Sequence, residues 1–409
     1  MPTPQNDPSA AALGGIRILD LTSVIFGPYA SLILADYGAD VIKVESPAGD
    51  STRYTGPSLD PELSAIFLGA NRNKRSLVLD LKQANAREAL LRLVDQADVF
   101  MHSMRPQKMA KLGLDHATLL ARNPKLVYAG LYGFSEDGAY AGMPAYDDTI
   151  QGLSGIADMM ARQSGTPRYL PTIAADKTCG MTAAHAILAA LFQRERTGKG
   201  QFVEIPMFES MVSYNLVEHF YGRHLTGQNE TPGYPRTLSP YRKPYKTSDG
   251  YVCLMPYTDA HWQRFFTAGG RPELAADPRF ANISARTRNI DALYAAVDAL
   301  VESNSTAFWL ELCNRQEIPA TRVNTLNDLE TDPHLQSVGF FANLTSATGD
   351  NYRFTRSPVK LQNSVVEPRM PPRLGEHSGE VLREAGLDAQ TIETLLKQGA
   401  ARAQEPEKS

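Results

Sequence analysis

Residues 13–45 read LGGIRILDLTSVIFGPYASLILADYGADVIKVE, and the fold class is decided there. After the Gly14-Gly15 turn signal, residues 16–21 are a short apolar run of strand character. Residues 29–37 have the make-up of a short helix that Gly38 stops, and residues 41–44 are a second buried strand. Strand, helix and strand in roughly thirty residues predict a βαβ unit, the building block of a parallel sheet.

The same alternation extends outward. Residues 77–81, 98–101, 126–131 and 202–205 read as strands, and 86–95 carry helical spacing through Leu90, Leu91 and Val94. Residues 178–196 form a long apolar helix that Thr197-Gly198-Lys199-Gly200 ends. The expected fold class is α/β: an open, Rossmann-like large domain with a parallel sheet covered on both faces. Beyond Tyr221 the character changes. Residues 222–243 are rich in Gly, Pro, Thr and Asn and read as a linker or active-site lid, and 245–255 as a hairpin turning at Ser248-Asp249-Gly250. Helical patches follow at 261–269, 289–303 and 306–315, so the reading is a large domain over 1–224 and a smaller α+β domain over 225–325. The tail has a Pro-rich connection at 368–372, a final helix at 388–397 and a frayed end past Ala403.

Composition narrows the function classes. The 409 residues carry 41 Lys and Arg against 45 Asp and Glu, a net charge of −4. That balance excludes global electrostatic capture of nucleic acid but permits a local basic pocket for a phosphorylated ligand. The three cysteines are far apart, which indicates neither a disulfide framework nor a cysteine-built zinc site. No apolar run reaches ~18 residues, and residues 1–12 lack a signal-peptide pattern, so a cytoplasmic protein without membrane partners is expected. There is no phosphate loop, no Gly-x-Gly-x-x-Gly fingerprint after the first strand, no Gly-x-Ser-x-Gly elbow and no His-Glu-x-x-His.

Two local features carry chemistry. Asn71-Arg72-Asn73-Lys74-Arg75 precedes a strand, and Arg105-Pro106 is followed by Lys108 and Lys111. At strand edges such clusters either gather around phosphates or form an ordinary solvated surface. Asp176 stands just before the long helix, with Gly180 close behind. It reads either as a helix cap or as a nucleophile that the helix N-terminus keeps ionised, with the glycine letting a bulky substrate approach.

Taken together, several landmarks identify the chain as resembling the class III CoA-transferase family, which includes formyl-CoA and carnitine CoA-transferases and the α-methylacyl-CoA racemases. They are Gly15 to Thr22, Gly38 to Glu45, Asn71 to Lys82, Arg105-Pro106 to Leu114, Tyr146-Asp147 to Gly155, Asp176, Arg196 to Gln201, Asp277-Pro278-Arg279-Phe280 and Leu374-Gly375-Glu376-His377. The resemblance runs over about 13–399. It implies a large domain built from both ends of the chain, with 326–409 returning to it, and an interlocked homodimer. It implies acyl-CoA and a small carboxylic acid as substrates, no tightly bound cofactor and no metal, and Asp176 as the catalytic residue. For coenzyme A it points to Ser23, Val24 and Ile25 after the first strand, and to Asn73, Lys74 and Arg75 near the nucleotide. Ser103, Arg105 and Lys111 would lie along the phosphates and Met207 near the thioester. Formyl-CoA transferase has glutamine at the position of Ile25, lysine at that of Tyr132 and a polyglycine loop where this chain has Thr231-Pro232-Gly233-Tyr234.

Racemases of the group pair the aspartate with a histidine. Here Tyr146 stands in that place, and a tyrosine of pKa about 10 is a poor base at neutral pH. Transfer is therefore the favoured reading, with racemisation or a catalytically silent CoA-binding protein as the alternatives. His102, His185 and Cys179 read as packing residues, Trp262 and Trp309 as small-domain core, and Glu136 and Asp137 either as turn residues or as residues that touch substrate. Asp147 either orients active-site groups or plays a structural role. Arg223, Arg236, Arg242 and Lys243 are candidates to face a second substrate carboxylate.

Overall fold

The computed structural model describes residues 11–227 and 231–404. The polar start at 1–10, residues 228–230 of the expected lid and the last five residues of the expected frayed end lie outside them. Six strands, β1 (Arg17–Leu21), β2 (Asp40–Glu45), β3 (Lys74–Leu79), β4 (Val99–His102), β5 (Val127–Tyr132) and β6 (Gln201–Pro206), lie in the order β3-β2-β1-β4-β5-β6. Every neighbouring pair among them is parallel. Ile18 stands opposite both Val41 and Val99, so β1 is flanked by β2 and β4. That makes the gap between β1 and β4 the point where the winding reverses, the place where open α/β sheets bind ligands.

Strands β1 to β5 are buried nearly throughout because both faces of the sheet are covered, and Asp20, Lys43, Glu45 and Lys74 are among the buried residues. Leu19, Ile42, Leu77, Phe100 and Tyr128 bury one face. They pack with α3 (Ala84–Val94), Met109 of α4 (Pro106–Leu112) and Leu119 of α5 (His116–Arg122). Val381, Leu382 and Leu395 of the C-terminal region join the same core. The other elements of this half are α1 (Phe26–Asp36), α2 (Ala65–Asn71), α6 (Asp147–Leu153), α8 (Ala174–Thr197) and the start of α9 (Met207–His219), with α7 (Ile156–Ser164) lying between α6 and α8 in the chain. Helices α1 and α8 pack closely against each other. A Cβ on Gly180 would come within 2.9 Å of the Phe26 carbonyl oxygen, so glycine is what lets α8 lie on α1. Gly180 therefore serves helix packing rather than the approach of a substrate.

The described residues form two compact units. One takes the residues up to Ser154, Pro171–Val212 and those from Ser337 onward; the other takes Gly155–Leu170 and Ser213–Gln336. The boundaries expected at 224/225 and 325/326 fall inside the second unit, because α9 runs through residue 212 as one helix with no break in sequence to mark it. The second unit holds the antiparallel strands β7 (Tyr245–Lys246), β8 (Tyr251–Leu254) and β9 (Ala320–Arg322). Its helices Asp259–Ala268, Ile290–Val301 and Thr306–Arg315 bury Trp262 and Trp309 in a core of their own. The described residues of the segment expected to be a lid include a 3-10 turn at Tyr221–His224 and a helical turn at Pro235–Leu238. In the first unit a hairpin, β10 (Phe341–Thr345) and β11 (Asn351–Thr355), precedes the return of the chain, and β12 (Ala401–Arg402) adds antiparallel to β3 at the sheet edge. Among the described residues no helix is long and apolar enough to cross a membrane.

Candidate active site

A cleft of about 290 Å³ opens at the winding reversal, lined by residues that follow the C-terminal ends of β1, β4 and β5. Ser23, Val24, Ser103, Arg105, Met207 and Asp176 all line it, so six residues named from sequence come together. Phe26, Pro106, Leu131 to Phe134, Glu136 and the loop from Gly142 to Tyr146 complete the wall; of that loop the sequence placed only Tyr146, at the position of the racemase histidine. The loop's position depends on Glu136, whose side chain accepts a hydrogen bond from the Gly142 amide at 3.1 Å, while Glu204 accepts from the Glu136 amide at 2.8 Å. Gly133 is required beneath it: a Cβ there would lie 2.4 Å from that of Ala145.

Asp176 is at the third position of α8, not before it, since the helix begins at Ala174. The expected cap role passes to Asp147 at the start of α6, whose Oδ1 accepts the Asp176 backbone N–H at 3.0 Å while its Oδ2 accepts from the Gln151 amide at 2.6 Å. Burial, and next the charge of Asp147, push the Asp176 carboxyl up to about 6; hydrogen bonding from the Phe26 backbone amide at the start of α1 pulls the other way. The helix N-terminus thus does not hold this group at an ordinary carboxylate value, because desolvation outweighs it. At neutral pH the group remains mostly ionised and is more basic than a solvated carboxylate. Cys179, one turn on, is buried, and burial with the nearby carboxylates pushes its thiol up to about 12, consistent with packing.

Val24 has a φ of 69°. For a β-branched residue this left-handed backbone costs roughly 1–2 kcal/mol. Its N–H donates to the Asp50 carboxylate at 3.1 Å, and Asp50 is in turn bound by the buried Lys43 ammonium at 2.9 Å.

The remaining residues named for coenzyme A stand elsewhere. Lys74 and Arg75 belong to β3 rather than to a loop before it. Lys74 is buried, donating to the Pro28 carbonyl and Asn71 side chain at 2.9 Å each and facing Asp20 at 3.4 Å. Desolvation brings it down to about 7. Arg75 is bonded by Asp40, Glu380 and Glu384, and Asn73 by Asp36 and the Arg369 amide. Ile25 is buried beside α1, and Lys111 is exposed on α4 outside the cleft. A second cleft of about 310 Å³ is also lined by Ser23 and runs past the ends of β2 and β3, with Lys82 and Lys108 on its wall. Lys108 belonged to the basic cluster read from sequence, whereas nothing singled out Lys82.

His102 is buried beneath the cleft, its Nε2 3.5 Å from the Tyr132 hydroxyl, and burial drives it down to about 4. His185 is exposed on α8, and Tyr146 is 72% exposed. Of the arginines and lysine considered for a second carboxylate, Arg236 is buried against Tyr294 and Lys243 is paired with Asp298 at 2.9 Å, both within the second unit.

The molecule is thus a doubly wound α/β protein with a buried, basic carboxylate in the cleft at its winding reversal, flanked by a lysine-bearing groove. Residues 13–378 match CoA-transferase family III, and the chain belongs to that family. It is 34% identical to the succinyl-CoA:mesaconate CoA-transferase of Haloarcula marismortui, over 93% of this chain and 98% of that protein. It is also 34% identical to the succinate–glutarate CoA-transferase of Agrobacterium fabrum, over 91% and 95%. Among solved structures, Rv3272 from Mycobacterium tuberculosis aligns with a TM-score of 0.78 at 31% identity, covering 90% of this chain and 98% of that one. A CaiB/BaiF family protein from Brucella suis gives 0.77 at 32%, covering 92% and 99%. The protein is accordingly a CoA-transferase, with a CoA thioester as substrate.

Proposed function

We propose that the protein moves coenzyme A from succinyl-CoA to another short dicarboxylic acid, with Asp176 as the covalent relay. The Asp176 carboxylate attacks the thioester carbonyl, the C–S bond breaks and CoA thiolate leaves, giving a mixed anhydride. The thiolate attacks the aspartyl carbonyl and releases the donor acid, leaving an aspartyl-CoA thioester. The acceptor carboxylate then displaces thiolate to form a second anhydride. Attack of thiolate on the acceptor's acyl carbon yields the new thioester and regenerates Asp176. No proton is consumed, and the thioester bond energy is carried through each step, so no nucleotide hydrolysis is needed.

The observation that carries this reading is the position of a buried carboxylate of raised basicity in the cleft shared by Ser23, Val24, Ser103, Arg105 and Met207. In the proposal the acyl end of the substrate lies in this cleft and the nucleotide end passes Ser23 toward Lys82 and Lys108. The name of the Haloarcula relative gives succinyl-CoA, and that of the Agrobacterium relative pairs succinate with glutarate, which favours succinyl-CoA as donor. No histidine lines the cleft among the described residues, which weighs against a two-base racemisation. A homodimer is part of the proposal, with the exposed Met181 and Phe192 of α8 as apolar surface for a second copy to cover; light scattering tests it.

The decisive experiment mixes the enzyme with succinyl-CoA, quenches with hydroxylamine and reads the peptide containing Asp176 by mass spectrometry. A hydroxamate at Asp176 is expected. An unmodified peptide together with full turnover by Asp176→Ala rejects the relay.

A further inference from the structure

We propose that Asp50 is a positioning residue for the transfer: its carboxylate, locked by Lys43, holds the backbone of Val24 left-handed and so sets Ser23, Val24 and the first turn of α1 against Asp176. The inference rests on the reading of Asp176 as the reacting group. Its basis is the path of the chain as it leaves β1. The Val24 N–H lies 3.3 and 3.1 Å from the two Asp50 oxygens. The same carboxylate accepts from the Thr52 amide at 2.9 Å and the Thr52 hydroxyl at 2.8 Å. Lys43 Nζ, fully buried, donates to Asp50 at 2.9 Å and to the Thr22 carbonyl at 3.0 Å. Both polar groups of the turn, the carbonyl of Thr22 and the amide of Val24, are therefore tied to one buried ion pair.

A glycine would adopt this φ at no steric cost, so a turn that served the fold alone would have no need of valine. Instead a β-branched side chain is kept in the cleft wall at a disfavoured backbone angle, and the surrounding structure supplies the restraint. Two residues beyond Val24 comes Phe26, which shares the cleft wall with Asp176 and whose backbone amide favours that residue's ionised carboxyl. Loosening the clamp would let that amide drift from Asp176. The other groups facing Asp176 are Asp147 from α6 and Cys179 on its own helix, with Arg105, Glu136, Tyr132 and Tyr146 around the cleft. Around the clamp itself, Asp20 and Glu45 also face Lys43.

The test is a double-mutant cycle of Asp50→Asn and Val24→Gly, read with succinyl-CoA and a dicarboxylate acceptor. Asp50→Asn should lower kcat at least tenfold and move the acidic limb of kcat/KM to higher pH, since the Phe26 amide that favours the ionised Asp176 carboxyl moves away from it. Val24→Gly alone should cost a few-fold through the lost wall contact. In Val24→Gly/Asp50→Asn, kcat should return to within about threefold of Val24→Gly, because glycine holds the turn unaided. Losses that multiply, or an acidic limb that does not move, overturn the proposal. Should Asp50→Asn not accumulate as folded protein, Asp50→Glu, which displaces the carboxylate by one methylene, is read by the same criteria. Asp176→Asn in the same series separates the two claims: retained activity there removes the relay, whereas multiplicative losses with an inactive Asp176→Asn remove only the role of Asp50.

Discussion

Replacing Asp176 by asparagine keeps the size and the hydrogen-bond acceptor of the side chain and deletes its charge. In the folded protein burial and Asp147 lift this carboxyl from an ordinary 3.8 to about 6. That gap corresponds to about 3 kcal/mol, at about 1.4 kcal/mol for each tenfold change in acidity. The sign follows from proton linkage. A carboxyl that is harder to ionise folded than unfolded stabilises the fold fully below the unfolded value, and that contribution is lost as pH rises through about 6. At pH 8 the wild type therefore bears the whole cost of holding a buried charge and the asparagine variant bears none. Thermal melts of the two proteins across pH 4–8 should show Asp176→Asn melting a few degrees higher at pH 8, with the curves converging near pH 4. Turnover should fall by about a thousandfold or more at every pH, because a neutral amide cannot form the anhydride. A variant less stable at pH 8, or an offset that does not change with pH, would refute the argument that this site stores electrostatic cost for reactivity.

Asp147→Asn keeps the acceptor for the Asp176 amide but removes the neighbouring charge, so the acidic limb of kcat/KM should shift below pH 6, as a pH–rate series would show. Gly180→Ala puts a methyl 2.9 Å from the Phe26 carbonyl oxygen and should cost about 1–3 kcal/mol, read as a lower melting temperature. Arg105, which makes no ion pair among the described residues and lines the cleft, should serve substrate binding: Arg105→Gln should raise KM at least tenfold with kcat changed less, measured by steady-state kinetics.

How far the sequence could be read depended on whether the information was local. The first βαβ unit, the later strands and the helix at Thr306–Arg315 were legible because apolar spacing and glycine stops lie within each segment. Helix α9 was not: MFESMVSYNLVEH follows β6 without a turn, and Tyr214 and Val217 on it are exposed, so no polar face marks a helix. The charged run 71–75 was misplaced for a different reason. A lysine reads alike in solvent or in a core; what buries Lys74 is Asp20, 54 positions away in the chain. Likewise Asp176 was recognisable as unusual, but its cap partner Asp147 is on another helix and its basicity arises from burial first and the charge of Asp147 second, both products of the tertiary fold.

These long-range contacts also set the place of Asp176, whose carboxyl touches little that is near it in the chain. Asp176 is carried by α8, and α8 is seated on α1 through Gly180. The start of α1 is set by the turn at Val24, and that turn is bound to the ion pair of Asp50 and Lys43 under the sheet. Buried ion pairs of this kind seldom add net stability, since desolvation offsets their attraction. Their worth here is geometric. They fix where β1 ends and α1 begins, and so where the carboxylate of α8 stands in the cleft at the winding reversal.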